Sequence, residues 1–247
     1  MRIYIKTEYD GTNFCGWQRQ PDGVSVQEEI ENAIFALTGE RVSVVGSGRT
    51  DAGVHAAGQV AHFDTESGIP PEKFSFALNA LLPPDIKITK SGEAPEGFHA
   101  RYSAKKKTYV YRMYESEFIR PLKSRYAARV GYELDVAAMN AAAAHFAGEH
   151  DFSCFLASNS AVKDTVRTIY SAEVKREGED IIFKVTGNGF LYNMVRIMAG
   201  TLIKVGTGKI LPDEVTDIIA SGDRSAAGIT MPPEGLTLLS VEYGDLL

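Results

Sequence analysis

Between residues 46 and 58 the chain reads GSGRTDAGVHAAG, with four glycines, one arginine, one aspartate and one histidine. Glycine lets the backbone adopt conformations that other residues avoid, and lets a ligand come close to it. With strands on either side, such a loop displays Arg49 and Asp51 at the end of a sheet. A carboxylate so displayed can serve as a nucleophile, as in glycosidases. The same composition also suits a turn in which Asp51 bonds backbone amides and Arg49 is solvated.

A second concentration of reactive groups spans residues 101 to 129. Arg101, Lys105, Lys106, Lys107, Arg112, Arg120, Lys123, Arg125 and Arg129 are opposed only by Glu115 and Glu117. Nine minus two gives +7 here, which leaves −13 for the rest of a chain whose total is −6. An acidic total argues mildly against a nucleic-acid partner, but binding follows local patches rather than the sum. A charge run of this kind is also what a solvated face looks like. Arg196 stands apart from this segment, on a helix expected over residues 190–205 whose neighbours Tyr192, Val195, Ala199 and Ile203 would pack it on a sheet. An arginine on that face is costly to bury without a partner.

Other chemical signals fall away. Gly46-Ser47-Gly48 and Gly187-Asn188-Gly189 both lack the last glycine of a dinucleotide fingerprint. Gly206-Thr207-Gly208-Lys209 continues into Ile210, not the Ser or Thr of a phosphate-binding loop. His55 and His62 have no third ligand nearby, and His145, His150 and Cys154 read as structural residues. The two cysteines, Cys15 and Cys154, form no CxxC pair, so neither a disulfide framework nor a zinc site is expected and a reducing cytoplasm is the natural compartment. No apolar run reaches the roughly 18 residues of a membrane span, and MRIYIKTEYDG lacks the apolar core of a signal peptide. Nothing calls for a nucleotide, a metal or a redox cofactor.

The elements that must position these residues follow from local pattern. Strands are expected at residues 2–9, 41–46, 58–64, 85–91, 105–115, 166–176, 180–186 and in the closing LTLLSVEY. Helices are expected from Ser25, where Ser25 and Glu28 fit a capping box and Gly39 suits the end; from Pro70-Pro71 to Pro83; from the N-cap Asp135 to before Gly148; and over 190–205 and 212–220. Glu177-Gly178-Glu179 reads as a hairpin turn. With 247 residues, 44% hydrophobic and 23% charged, this is an ordinary globular composition. Strands and about two helices in each half, without strict βαβ alternation, predict an α+β fold of two similar halves, 1–103 and 104–247, contributing to one mixed, largely antiparallel sheet with helices packed on it.

SGRTDAGVHA resembles the catalytic loop of the TruA-type tRNA pseudouridine synthases. Four further stretches resemble that family's motifs, in family order: Tyr9-Asp10-Gly11 with Phe14, Gly16-Trp17-Gln18-Arg19-Gln20 and Ser25-Val26-Gln27; Phe98-His99-Ala100-Arg101 through Lys107-Thr108-Tyr109-Val110-Tyr111; Gly189-Phe190-Leu191-Tyr192-Asn193-Met194-Val195-Arg196; and Pro232-Pro233-Glu234-Gly235-Leu236. Met231 departs from the pattern, which more usually has a small residue before the paired prolines.

The resemblance implies an isomerase that breaks the uridine C1′–N1 bond and rejoins the base through C5, with an RNA-binding cleft and no cofactor. Asp51 matches the catalytic aspartate; attack at C1′ of the ribose and at C6 of the uracil both suit a carboxylate. A stacked base must be flipped out to be reached. Arg49 is implied to fill the vacated space, Tyr109 to stack on the base and to assist in removing the C5 proton, and Arg196 to pair with Asp51 and keep it ionised. Arg101, Lys105, Lys106, Lys107 and Arg112 would then meet the RNA backbone. The implied substrate is the anticodon arm of tRNA at positions 38, 39 and 40, and the implied assembly a homodimer. Two rivals share these residues. A non-catalytic RNA-binding module would keep the basic strand without needing Asp51 and Arg196 together. A glycosidic hydrolase would use Asp51 but release the base.

Overall fold

The computed structural model describes residues 1–157 and 162–247. They form two compact units, one of Met1–Lys105 with Thr237–Leu247 and one of Lys106–Leu236.

The first unit contains β1 (Arg2–Tyr9), α1 (Val26–Thr38), β2 (Val45–Gly46), β3 (His55–Asp64), α2 (Phe74–Asn79), β4 (Ile86–Glu93) and β10 (Leu236–Glu242, all but its first residue). Strand order is β4-β1-β3-β10, with β2 also on β3. β1 alternates, burying Ile3, Ile5, Thr7 and Tyr9, as a sheet with one packed face requires. Ser25 caps α1 by accepting from the Glu28 amide, and Gly39, at φ 76°, ends it. β1 pairs antiparallel with β3 and β4, while β10 runs parallel to β3, Thr237 opposite His55.

The second unit contains β5 (Lys106–Glu115), β6 (Ala128–Val130), α3 (Val136–Ala144), β7 (Gly148–Asp151), β8 (Val166–Glu177), β9 (Asp180–Gly187), α4 (Met194–Gly206) and α5 (Glu214–Ser221). Strand order is β5-β9-β8-β7, with β6 parallel to β5. The β8–β9 hairpin closes with Glu177 opposite Asp180 and Gly178 at φ 59°. Asp135 caps α3 by accepting from Ala138. α4 is buried on nearly all sides, and α3 packs between it and β8.

The α+β class, with mixed and largely antiparallel pairing, is the one expected. Four details differ. Residues 41–44 are not strand; the Val44 amide instead donates to the Glu31 carboxylate of α1 at 3.0 Å. β3 starts at His55 rather than 58, because β10 pairs with it there. α4 starts at Met194 rather than 190, after Asn193 turns the backbone to φ 61°. The second unit also has two short strands, β6 and β7, with no counterpart in the sequence pattern.

Candidate active site

In the first unit, Ser47–Val54 connects β2 to β3, and its backbone is pinned at several points. The Ser47 amide donates to Val60 O at 2.7 Å, Trp17 N to Thr50 O at 3.1 Å, Gly53 N to Phe14 O at 3.3 Å and Val54 N to Asp51 O at 3.1 Å. The segment Tyr9–Trp17 packs so closely on this loop that side chains are excluded. A Cβ on Gly11 would lie 2.0 Å from Val54 O, one on Gly16 2.5 Å from Thr50 O and one on Gly46 2.5 Å from the Trp17 indole nitrogen. Gly16, at φ 108°, also needs a conformation that L-residues rarely take. The opening motif and the loop are therefore one packed body. On it Arg49 is exposed and Asp51 half-buried.

The nearby histidines have structural duties. His55 Nδ1 accepts from the Gly11 amide at 3.0 Å and His62 Nδ1 from the Ala100 amide at 3.2 Å. Burial, with the Arg2 charge in second place, pushes the His62 pKa down to about 4, so its ring is neutral at pH 7.

In the second unit, Tyr109 lies on β5, 8% exposed, with the Phe190 ring set edge-on to it at 5.1 Å. Tyr111, two residues along on the same face, is fully buried and donates its hydroxyl to Pro232 O at 2.8 Å. Tyr111 is thus a packing residue. Arg196 is held by its own unit: Nε donates to Met231 O and Nη1 to Asn193 Oδ1, both at 2.6 Å. Met231 is carried there by the stretch Gly228–Met231, which lies directly on α4. A Cβ on Gly200 would come within 2.1 Å of Ile229 O, and Gly228 N donates to Thr201 Oγ1 at 2.8 Å. Because Met231 supplies its backbone, its unusual side chain leaves this hydrogen bond intact.

A family model described as tRNA pseudouridine synthase matches residues 5–103 and 142–244. The chain belongs to this family. Its members make pseudouridine, and the chain is accordingly a pseudouridine-forming isomerase. A protein of Ruminiclostridium cellulolyticum named tRNA pseudouridine synthase A is 53% identical over 243 residues, covering 98% of this chain and 99% of its own. Proteins of the same name from Acetivibrio thermocellus and Geotalea uraniireducens are 52% and 50% identical, with the same coverage of both chains. The matched ranges contain Arg49, Asp51, Arg101 and Arg196. Tyr109, the three lysines and Arg112 fall between them, in the stretch that the relatives nevertheless span.

Apart from Arg125, the basic segment divides into two groups. Arg120 and Lys123 pair with Glu179, at 2.7 and 3.2 Å, and Lys123 also with Asp180; Arg129 donates to Ser116 O at 3.0 Å. These three brace local structure. Arg101 and Lys105 are exposed in the first unit, and the Arg101 guanidinium lies 5.8 Å from the Tyr102 ring centroid. In the second unit, strand alternation puts Lys107 on the Tyr109 face of β5 and Lys106 and Arg112 on the opposite face. Lys106 Nζ lies 5.5 Å from the Tyr170 ring.

Several residues around the candidate groups have no signal of their own in the sequence pattern. Phe190 and Asn193 sit inside a family motif, but as expected helix residues. Tyr192, expected to pack α4 on a sheet, precedes the helix and is 52% exposed. A cleft of about 430 Å³ in the second unit, lined by His145, Glu149, His150, Asp151 and Ser153 among others, holds none of the candidate residues. Its histidines are engaged, His145 with Asp213 and Thr216 and His150 with Ala147 O.

Proposed function

We propose that the chain isomerises uridine to pseudouridine in the anticodon arm of tRNA, at positions 38, 39 and 40, with Asp51 as the catalytic carboxylate. One observation carries this reading. A half-buried aspartate and an exposed arginine stand two residues apart on a glycine-rich loop whose backbone is tied down on both sides of them. Such a loop offers a carboxylate in a fixed place, as attack on a sugar or a uracil ring requires. Because substrate and product are isomers, the reaction needs no oxidant and no energy source.

The roles divide between the units. From the first, Asp51 attacks and Arg49 takes the space of the flipped base. From the second, Tyr109 stacks on the uracil, and Arg196 pairs with Asp51 and holds it ionised. Phe190 against Tyr109 supports the stacking role, since it fixes the ring's orientation. The double hold on Arg196 supports the pairing role, since it fixes the guanidinium's. Arg101, Lys105, Lys106, Lys107 and Arg112 bind phosphates along an RNA-binding cleft, and the enzyme works as a homodimer in the cytoplasm. Among the described residues no helix is long and apolar enough to cross a membrane.

The test is incubation with an unmodified tRNA transcript carrying uridine at those positions, followed by mass spectrometry and chemical mapping. Pseudouridine at 38–40 without free uracil is the expected result. Free uracil would make the protein a hydrolase, and neither product would make it a binding module.

A further inference from the structure

We propose that Thr50 and Tyr9 form a positioning pair that aims the Asp51 carboxylate, a proposal that rests on Asp51 being the catalytic group. Beneath the loop, four polar side chains are almost wholly buried: Tyr9, Ser47, Thr50 and Gln59. The Tyr9 hydroxyl and Thr50 Oγ1 are hydrogen-bonded at 2.8 Å. Gln59 accepts from the Ser47 hydroxyl through Oε1 and donates to Gly48 O at 2.9 Å through Nε2. Buried polar groups so joined rigidify what they hold, since in low dielectric each depends on its partner.

What they hold is the backbone on either side of Arg49. Gly48 is tied through its carbonyl to Gln59 of β3. Thr50 is tied twice, through its carbonyl to Trp17 N and through its side chain to Tyr9 of β1. Thr50 therefore points into the sheet, while its neighbours Arg49 and Asp51 reach the surface side. Gly48 directly precedes the tripeptide and Gly53 follows it after Ala52, and these glycines would otherwise leave it loose. The Thr50 hydroxyl is the side-chain anchor adjacent to Asp51 in sequence. The Tyr9 hydroxyl is protonated at working pH, and burial moves its pKa further up.

The pair acts on the chemical step rather than on tRNA affinity, because neither hydroxyl lies at the surface. Steady-state and single-turnover kinetics on tRNA test this with Tyr9→Phe, Thr50→Val and Thr50→Ser, each checked by circular dichroism for folding. Tyr9→Phe and Thr50→Val should each lower kcat about tenfold to a hundredfold with KM little changed, the scale of a small misplacement of a reacting group. Thr50→Ser, which keeps the hydroxyl, should recover most of the rate. The double variant Tyr9→Phe/Thr50→Val should be no slower than the worse single one, because the two act as a unit. If Thr50→Val fails to fold, Tyr9→Phe and Thr50→Ser decide. Folded Tyr9→Phe or Thr50→Val with kcat within about twofold of the parent, or a loss confined to KM, would overturn the proposal. Asp51→Asn run alongside separates the two readings. An inactive Asp51→Asn beside a fully active Tyr9→Phe sinks the pair alone, whereas an active Asp51→Asn sinks the catalytic assignment and the pair with it.

Discussion

Asn193 stands at the N-cap position of α4, yet its side-chain oxygen accepts from Arg196 Nη1 at 2.6 Å instead of from the helix's own amides. Its backbone is left-handed, φ 61°, in the described residues the one non-glycine with positive φ. Asparagine tolerates that region better than most residues, at a cost that glycine avoids. A helix cap and an unstrained backbone are both given up, and what is gained is a fixed guanidinium.

Asn193→Gly and Asn193→Ala separate the two features. Both remove the charge-assisted hydrogen bond, a loss of about 1.5–3 kcal/mol. Alanine additionally has to adopt the left-handed backbone, at a further cost of about 1 kcal/mol. Thermal or urea unfolding should therefore rank the parent above Gly and Gly above Ala. Both should turn over tRNA slowly if Arg196 orientation matters to Asp51. Equal stability of the Gly and Ala variants would show that the left-handed conformation costs nothing here.

Asp51→Ala should retain most tRNA affinity by filter binding and lose isomerisation altogether; normal turnover would remove Asp51 from the mechanism. Tyr109→Phe should keep stacking, worth about 1–3 kcal/mol per base, and so keep binding near the parent value. Its turnover rate then reads the hydroxyl alone. A full rate would show that this hydroxyl is not the acceptor of the C5 proton.

Replacing Lys105, Lys106 and Lys107 together by alanine should weaken tRNA binding and flatten its salt dependence, by about one unit of slope for each phosphate no longer neutralised. The single variants go further. Lys107 shares the Tyr109 face of β5, whereas Lys106 lies on the opposite face beside Tyr170. Lys107→Ala should therefore reduce the slope more than Lys106→Ala. The reverse order would place the RNA on the other side of the strand, and an unchanged slope in the triple variant would take RNA off this surface.

Elements with their own local signal are legible in the sequence. Ser25 and Gly39 bound α1, Asp135 opens α3, and Gly178 turns the β8–β9 hairpin, each through an interaction within a few residues. β6 and β7, of three and four residues, are too short to show a period. Residues 41–44 have a strand-like pattern, but Glu31 of α1 takes the Val44 amide, and no alternation encodes that. The Asp51 loop is visible through its glycines. Its supports are not: Tyr9 and Thr50 meet across 41 residues of chain. Asn193 reads as helix because apolar spacing runs through it unbroken, and only its backbone angle shows that the helix starts after it.

His62 gives the fold a defined response to acid. It is buried and neutral, with its pKa pushed down to about 4 from an ordinary 6.5 by desolvation first and the Arg2 charge second. The unfolded chain therefore binds a proton between pH 6.5 and 4 that the folded chain does not, so stability falls as pH drops through that window. The full effect is on the order of 3 kcal/mol. The Asp64 carboxylate, held below its usual range by the hydrogen bond from Arg2, adds its loss only at lower pH, below its ordinary value of 3.8. His62→Asn keeps a side-chain acceptor for the Ala100 amide and removes the titration. Urea unfolding of parent and variant at about pH 7 and about pH 4.5 should show the parent losing more stability than the variant across that interval. Parallel losses in the two proteins would assign the acid sensitivity to other groups.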